Sequence, residues 1–115
     1  DDVVIFDTET TGAGRGARLV EIAGLHARHG KVLRSFQTLV DPETHIPAFV
    51  TAIHGITDAM VRGAPRVGPA LRDFFEFVGD LPLVGTLFRS EKRDRVQTEL
   101  VVFVTPRIIV NPPAK

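Results

Sequence analysis

The chain has 115 residues, the size of one ordinary domain. Its 14 basic and 14 acidic residues leave no net charge, so any nucleic-acid binding must come from a local patch. With 43% hydrophobic and 24% charged residues, the composition excludes a disordered chain. The lack of cysteine excludes a disulfide framework, and no apolar run reaches the roughly 18 residues of a membrane helix. We expect a soluble protein without membrane contact, cytoplasmic if natural and of unassigned location if engineered.

Three strands are predicted in the first forty residues. Residues 3–6 form a short apolar run that is typical of a buried strand. A second strand is predicted over residues 18–27, where apolar side chains occupy both faces, and a third over residues 32–40. The hairpin turn between them is predicted at residues 29–31. The order predicts an antiparallel meander.

Helical segments follow the meander. A short one over residues 47–55 is stopped by glycine, and a second over residues 57–61 has Thr57 as candidate N-cap. Residues 67–79 are the best helix candidate, with Gly79 at the C-cap. The predicted core face of this helix consists of Val67, Leu71, Phe74, Phe75 and Val78. Base stacking by Phe74, Phe75 or Phe77 is the alternative, although core packing is favoured for the first two.

The last third of the chain is predicted to be mainly extended. A short apolar segment covers residues 81–85, and the charged residues 89–95 predict a solvated turn. Strand formers then continue over residues 99–110. Pro106 interrupts this run, which indicates a sheet edge or a bend.

Two carboxylates, Asp7 and Glu9, end the first strand. Strand alternation places both on one face, about 7 Å apart. That spacing suits hard divalent cations such as Mg²⁺ or Mn²⁺, which retain water and substrate phosphate as further ligands. The alternative is a polar strand end, in which Thr8 and Thr10 make turn contacts.

The run from Val3 to Gly12 resembles the first motif of the proofreading 3′–5′ exonucleases, the family of the bacterial DNA polymerase III epsilon subunit. The resemblance continues through residues 18–23, 39–42, 46–47, 53–57 and 74–80. It implies an α/β fold, a truncated RNase H-like exonuclease half made of the three-stranded antiparallel meander plus the helix. It also implies hydrolysis of nucleic-acid phosphodiesters with Mg²⁺ or Mn²⁺, and a single-stranded DNA or RNA 3′ end as partner.

The resemblance also assigns site residues. Asp7 and Glu9 become the catalytic and metal-binding residues. Thr10, Thr11, Gly12 and His54 become the substrate-binding residues. A general-base role for His54 is disfavoured, because the family takes its base from a later histidine. The remaining histidines, at positions 26, 29 and 45, are interpreted as solvated residues in turns or at strand edges.

Two further motifs of the family are missing. The second has the form Leu-Val-Gly-His-Asn-x-x-Phe-Asp. Here Leu83–Gly85 is present, but Thr86 and Leu87 replace its histidine and asparagine. Glu91 stands at the position of the aspartate, which we interpret as coincidence. No histidine follows His54, so the third motif has no counterpart. We therefore expect impaired hydrolysis, and we favour an inactive chain over an active exonuclease.

Residues 81–110 resemble instead the end of the secretin domain of outer-membrane secretion channels, through Leu81–Ser90 and Thr98–Ile108. The two resemblances meet at residues 81–85, which predicts a chimera of an exonuclease-like segment 1–80 and a secretin-like segment 81–115, packed as one domain. The alternative functions are a catalytically inert chimeric or designed structural protein and, with less support, a secretin-derived interaction module.

The C-terminal segment is expected to extend the sheet by one or two strands. Residues 100–104 are predicted to lie beside the first strand and to give a four- or five-stranded sheet. Its exposed edge would favour self-association.

Overall fold

The structure is a computed structural model that describes residues 1–89 and 99–104, with residues 86–89 and 99–104 described by their backbone. The elements are β1 (Asp2–Thr10), β2 (Leu19–Arg28), β3 (Lys31–Leu39), α1 (Ala48–His54), α2 (Asp58–Val61), α3 (Val67–Val78), β4 (Leu83–Arg89) and β5 (Glu99–Val104). The predicted α/β fold, with its meander and helices, is confirmed. Strand β1 is longer than the apolar run predicts, because its polar residues continue the ladder to Thr10. The predicted charged turn over residues 89–95 begins one residue too early, because Arg89 continues the ladder of β4. The rest of that turn with Glu91, and the predicted strand end beyond residue 104, lie outside the described residues.

The sheet has five strands in the order β3-β2-β1-β4-β5. Strand β4 pairs with β1 in parallel and β5 pairs with β4 antiparallel. The prediction that residues 100–104 lie beside β1 was therefore wrong, since Leu83–Arg89 occupies that place. The physical reason is that Leu83 is buried in register with Val4, and that Gly85 lets the two backbones approach closely at Phe6.

The β2–β3 hairpin has a two-residue turn at His29 and Gly30, with φ of 49° and 77°. Positive φ at both positions is typical of the turn that matches strand twist. The predicted hairpin is thus confirmed.

The main core lies between the sheet and α3. Its buried members are Val4, Phe6, Ile22, Val40, Ala70, Phe74, Val78 and Leu83. The Phe74 ring is tilted against Phe6 and Phe36, with centroids 5.8 Å away in both cases. Burial of these apolar side chains is the main stabilising contribution to the sheet–helix contact.

The buried face of α3 differs from the predicted one by a rotation of the helix. Val67 and Phe75 are 46% and 39% exposed, whereas Ala70 is fully buried and Phe77 packs partly against the core. Gly24 on β2 explains the rotation, because a Cβ atom there would lie 3.2 Å from the Phe74 ring and 3.3 Å from the Phe77 ring. Helix α3 therefore packs against β2 at Gly24, the position that lacks a side chain.

A second core supports the two short helices. Its buried members are Val20, Ile46, Val50, Ile56 and Val61. Helix α1 ends at Gly55, whose φ of 81° is the left-handed conformation expected of a glycine C-cap. The Thr57 side chain accepts a hydrogen bond from the Met60 N–H at 3.2 Å, so the predicted N-cap is confirmed.

Asp58, the first residue of α2, makes two polar contacts with the segment before α1. Its Oδ1 accepts a hydrogen bond from the Ile46 N–H at 2.8 Å, and its Oδ2 contacts the His45 ring. The Ile46 N–H and the His45 ring hold the pKa of the Asp58 carboxyl below its usual value. The ionised carboxylate therefore stabilises the folded chain.

Acid is expected to remove this contribution. Because the folded-state pKa of Asp58 lies below the unfolded value of about 3.9, the stabilisation is complete above that pH and is lost as pH falls through the folded-state pKa. Asp58→Asn keeps an acceptor for the Ile46 N–H but no charge. We expect its melting temperature to fall less steeply than that of the wild type below pH 5 or so. The control Asp73→Asn, at an exposed position of α3, should keep the wild-type slope, and an unchanged slope in Asp58→Asn would contradict the assignment.

The sheet face opposite α3 carries exposed apolar side chains. Ile5 and Leu25 are cross-strand neighbours and are 45% and 40% exposed. The helices of the described part are all too short or too polar to cross a bilayer.

Candidate functional site

Strand β1 presents two sets of side chains to its two faces. Val4, Phe6, Thr8 and Thr10 are buried, whereas Asp7 and Glu9 are half-buried on the other face. This alternation confirms that the two carboxylates share a face, about 7 Å apart by the strand repeat. We call Asp7 and Glu9 the acidic corner.

A third carboxylate lies next to the acidic corner. Glu21 on β2 is the cross-strand partner of Glu9, so the two side chains start from the same face. The Gln37 amide of β3 donates a hydrogen bond to the Glu21 carboxylate at 2.8 Å. Even so, residues 1–85, whose side chains the structure describes, contain no group of three or more His, Cys, Asp or Glu side chains arranged to hold a metal ion. Glu21 is therefore a neighbour of the corner and not a third convergent ligand.

The turn after Glu9 is held by side chain to backbone hydrogen bonds. The Thr10 hydroxyl donates to the Gly12 carbonyl at 2.7 Å and accepts from the Gly12 N–H at 3.3 Å. The Thr11 N–H donates to the Arg18 carbonyl at 2.8 Å, and the Arg18 N–H donates back to the Thr11 hydroxyl at 3.0 Å. Gly12 has a φ of 155°, which favours glycine. Thr10 thus makes the predicted turn contact, at the residue that follows Glu9 in the chain.

His54 reaches this turn from the end of α1. Its Nε2 lies 2.9 Å from the Thr10 carbonyl oxygen, and its Nδ1 accepts a hydrogen bond from the Ile56 N–H at 3.1 Å. The structure therefore brings together Thr10, Thr11, Gly12 and His54, the four residues that the sequence assigns to the substrate.

The other histidines lie elsewhere. His29 is exposed at the hairpin tip, as predicted, and His45 contacts Asp58 at the surface. His26 differs from its interpretation as solvated, because only 12% of its side chain is exposed. Its Nε2 donates to Asp2 at 2.8 Å, and its Nδ1 accepts from the Arg34 Nε–H at 3.0 Å. The cause is the register of β1 and β2, which places Asp2 beside it and leaves it in a structural network.

Two family models match the chain. The model described as Exonuclease matches residues 4–88, more than half of the chain, and the chain therefore belongs to this exonuclease family. A second model, for bacterial type II and III secretion system proteins (secretins), matches residues 75–110. The two matches overlap at residues 75–88, around the segment where the sequence resemblances meet.

The similar curated proteins include bacterial DNA polymerase III proteins. The chain is 40% identical over 85 residues to a PolC-type DNA polymerase III of Clostridium perfringens, covering 73% of the chain and 6% of the relative. It is 36% identical over 83 residues to the DNA polymerase III epsilon subunit of Aquifex aeolicus, covering 71% of the chain and 41% of the relative. The chain thus spans less than half of the length of these relatives.

Solved structures share the fold. Exonuclease X in complex with 5′ overhanging duplex DNA superimposes with a TM-score of 0.58 at 26% identity, over 73% of this chain and 58% of the other. The nuclease domain of 3′hExo, a DEDDh family member bound to rAMP, gives a TM-score of 0.65 at 20% identity, over 75% of this chain and 52% of the other. The prediction of a truncated exonuclease fold is confirmed.

Sequence reasoning missed two features of the site. The pairing of Glu9 with Glu21 is the last pair of the regular β1–β2 register, before the shift between Glu9 and Thr10. The hydrogen bond from His54 to the Thr10 carbonyl joins residues 44 positions apart. The only available signal was the position of the acidic Glu21 among the apolar residues of the predicted second strand.

Proposed function

We propose that the acidic corner binds Mg²⁺ or Mn²⁺ and belongs to a 3′–5′ exonuclease-like site for nucleic-acid phosphodiesters. The observation that carries this proposal is the pair Asp7 and Glu9 on one face at the end of β1, within a chain of the exonuclease family. Carboxylate oxygens are the ligands that these hard cations prefer, and water and phosphate oxygens complete their coordination. The donor set fits such a cation.

The chain's own residues would divide the work. Asp7 and Glu9 would hold the cation, which when bound neutralises phosphate charge and supplies an activated water. The Thr10–Gly12 turn and His54 would face the terminal nucleotide. Exposed Arg15 lies in the loop between β1 and β2 and would supply the positive charge that a net-neutral chain needs for contact with phosphate.

A single-stranded DNA or RNA 3′ end is the proposed substrate. Support comes from solved structures of the same fold whose partners are nucleic acids: duplex DNA with a 5′ overhang, a histone mRNA stem-loop and a dA16 oligonucleotide. We propose the cytoplasm as the location of a natural chain.

Hydrolysis is proposed to be weak or absent. No histidine follows His54 in the sequence, and the described residues place only two carboxylates in the corner without a convergent third. A proton acceptor and a further ligand are what this chemistry needs beyond metal binding. Metal binding without efficient turnover is the expected behaviour.

A second candidate is a catalytically inert chimera. The overlap of the exonuclease and secretin matches at residues 75–88 favours it. In this proposal residues 1–80 and 81–115 come from different families and share one packed domain, and the edge strands β3 and β5 support self-association. A secretin-derived interaction module has less support, and ring-like oligomers in electron micrographs would be needed to favour it.

A Mn²⁺ titration tests the metal site. We expect broadening of the amide signals of residues around the acidic corner, and at least about tenfold weaker binding in Asp7→Asn, equivalent to about 1.4 kcal/mol. Loss of a ligand charge is the cause. The matched control is Glu21→Gln, which removes a charge from the same face and should change the affinity by less than about threefold.

The outcomes separate the candidates. Equal loss of affinity in Asp7→Asn and Glu21→Gln would indicate diffuse attraction of cations rather than a site. Absence of any Mn²⁺ effect in a chain that unfolds cooperatively would favour the inert chimera. Rapid Mg²⁺-dependent release of mononucleotides from single-stranded DNA, abolished in Asp7→Asn, would contradict the proposed impairment.

A further inference from the structure

Both ring nitrogens of His54 are bound to backbone groups. The Ile56 N–H donates to Nδ1 at 3.1 Å, so Nδ1 carries a lone pair and the ring hydrogen lies on Nε2. Nε2 is 2.9 Å from the Thr10 carbonyl oxygen and therefore donates to it. The two contacts together define the tautomer of this half-buried ring.

The support behind the ring is rigid. The Thr51 hydroxyl donates to the Ile56 carbonyl at 2.7 Å, and the Gly55 N–H donates to the Thr51 carbonyl at 2.7 Å. Ile56 itself is 4% exposed in the second core. His54 is thus held at the packed end of α1 by the buried Ile56.

The accepting carbonyl lies where β1 departs from a regular ladder. The β1–β2 register shifts between Glu9 and Thr10, so Thr10 pairs with Leu19. A bulge of this kind changes the direction of the strand and of the side chains around it. At this irregular position, the bond from His54 is a tertiary restraint on the residue that follows Glu9.

We propose that His54 is a positioning residue for the acidic corner, which fixes the backbone at Glu9 and Thr10 through its Nε2–H bond to the Thr10 carbonyl. This inference rests on the proposed metal site and deepens it. Without the bond, the peptide after Glu9 rotates more widely. The Glu9 carboxylate then spends less time in the orientation in which it and Asp7 can bind one cation. Metal affinity then depends on a histidine that is not itself a metal ligand.

Two variants separate the bonds of the ring. His54→Asn places an amide oxygen near the position of Nδ1 and keeps an acceptor for the Ile56 N–H, but it does not reach Thr10. His54→Gln places an amide nitrogen near the position of Nε2 and keeps a donor to the Thr10 carbonyl. We expect Mn²⁺ affinity to fall about five- to tenfold in His54→Asn and to stay within about twofold of wild type in His54→Gln.

A second readout does not need the metal. The backbone order of Glu9, Thr10 and Thr11, measured by ¹⁵N relaxation without Mn²⁺, should fall in His54→Asn and recover in His54→Gln. The control is His29→Asn at the exposed hairpin tip, which should leave both readouts unchanged.

The readouts distinguish the two proposals. A wild type that binds no Mn²⁺, but whose Glu9 backbone loosens in His54→Asn, would overturn the metal site while supporting the restraint by His54. Wild-type Mn²⁺ affinity and wild-type Glu9 order in His54→Asn would overturn the positioning role, whatever its melting temperature. Equal loss of affinity in His54→Asn and His54→Gln would overturn it too, since the Thr10 bond would then not be the determinant.

Discussion

Gly85→Ala is expected to destabilise the fold by at least about 3 kcal/mol, the upper range for insertion of an atom into a packed interior. A Cβ atom at this position would lie 2.1 Å from the Phe6 carbonyl oxygen and 2.6 Å from its Cδ1 atom. The contact is mainly with backbone, so no side-chain rotation relieves it. The parallel pairing of β1 and β4 would have to open. The hydrogen bond from the Val4 N–H to the Pro82 carbonyl, 2.9 Å long and just before β4, opposes that opening. Urea unfolding followed by far-ultraviolet circular dichroism measures the change.

Gly68→Ala is the matched control for this substitution. Gly68 lies in the first turn of α3, and a Cβ atom there would have no neighbour within 4 Å. Alanine has the higher helix propensity, so the control should unfold at the same or a slightly higher urea concentration. If Gly85→Ala unfolded together with this control, β4 would not approach β1 at Phe6.

Phe74→Ala is expected to lower the free energy of unfolding by about 3–5 kcal/mol, as for other buried aromatic residues. Phe74 is 4% exposed, and its ring lies against those of Phe6 and Phe36. Its removal leaves a cavity between α3 and the sheet that neighbouring side chains fill only in part. The same urea experiment measures the effect, with Phe74→Leu expected to lose markedly less.

The adjacent residue provides the control. Phe75 has the same side chain on the same helix but is 39% exposed, so Phe75→Ala should cost less than about 1.5 kcal/mol. The comparison tests the rotation of α3 directly, because both phenylalanines belong to the core face that the sequence predicts. Similar losses of unfolding free energy for the two substitutions would support the core face of α3 that the sequence predicts.

Local patterns were sufficient to predict the meander and the helices. The apolar run of β2, the glycine after His29 and the Thr57 cap each act within a few residues, and the structure contains all three elements. The rotation of α3 was not predictable, because helical spacing fits Phe74 together with either Phe75 or Ala70. The choice depends on Gly24, which leaves room for two aromatic rings at a strand distant in sequence.

The partner of β1 could not be predicted for a similar reason. Both residues 83–89 and residues 99–104 contain apolar strand formers, and strand propensity does not specify neighbours. Parallel pairing of β4 depends on the close approach of Gly85 to Phe6, a contact between residues that are distant in sequence. At the acidic corner the sequence predicts the shared face of Asp7 and Glu9 correctly. The metal role of the two carboxylates stays a prediction.

The β2–β3 hairpin offers a position for measurement. Lys31 is exposed and pairs with Arg28, which in turn pairs with Asp2 at the far end of β1. Asp7 lies five residues along that strand, about 17 Å by the strand repeat. Because the chain contains no cysteine, Lys31→Cys would create a unique thiol for a spin label or a dye. The β1–β2 ladder would then provide a known reference distance between that label and a paramagnetic ion at the acidic corner.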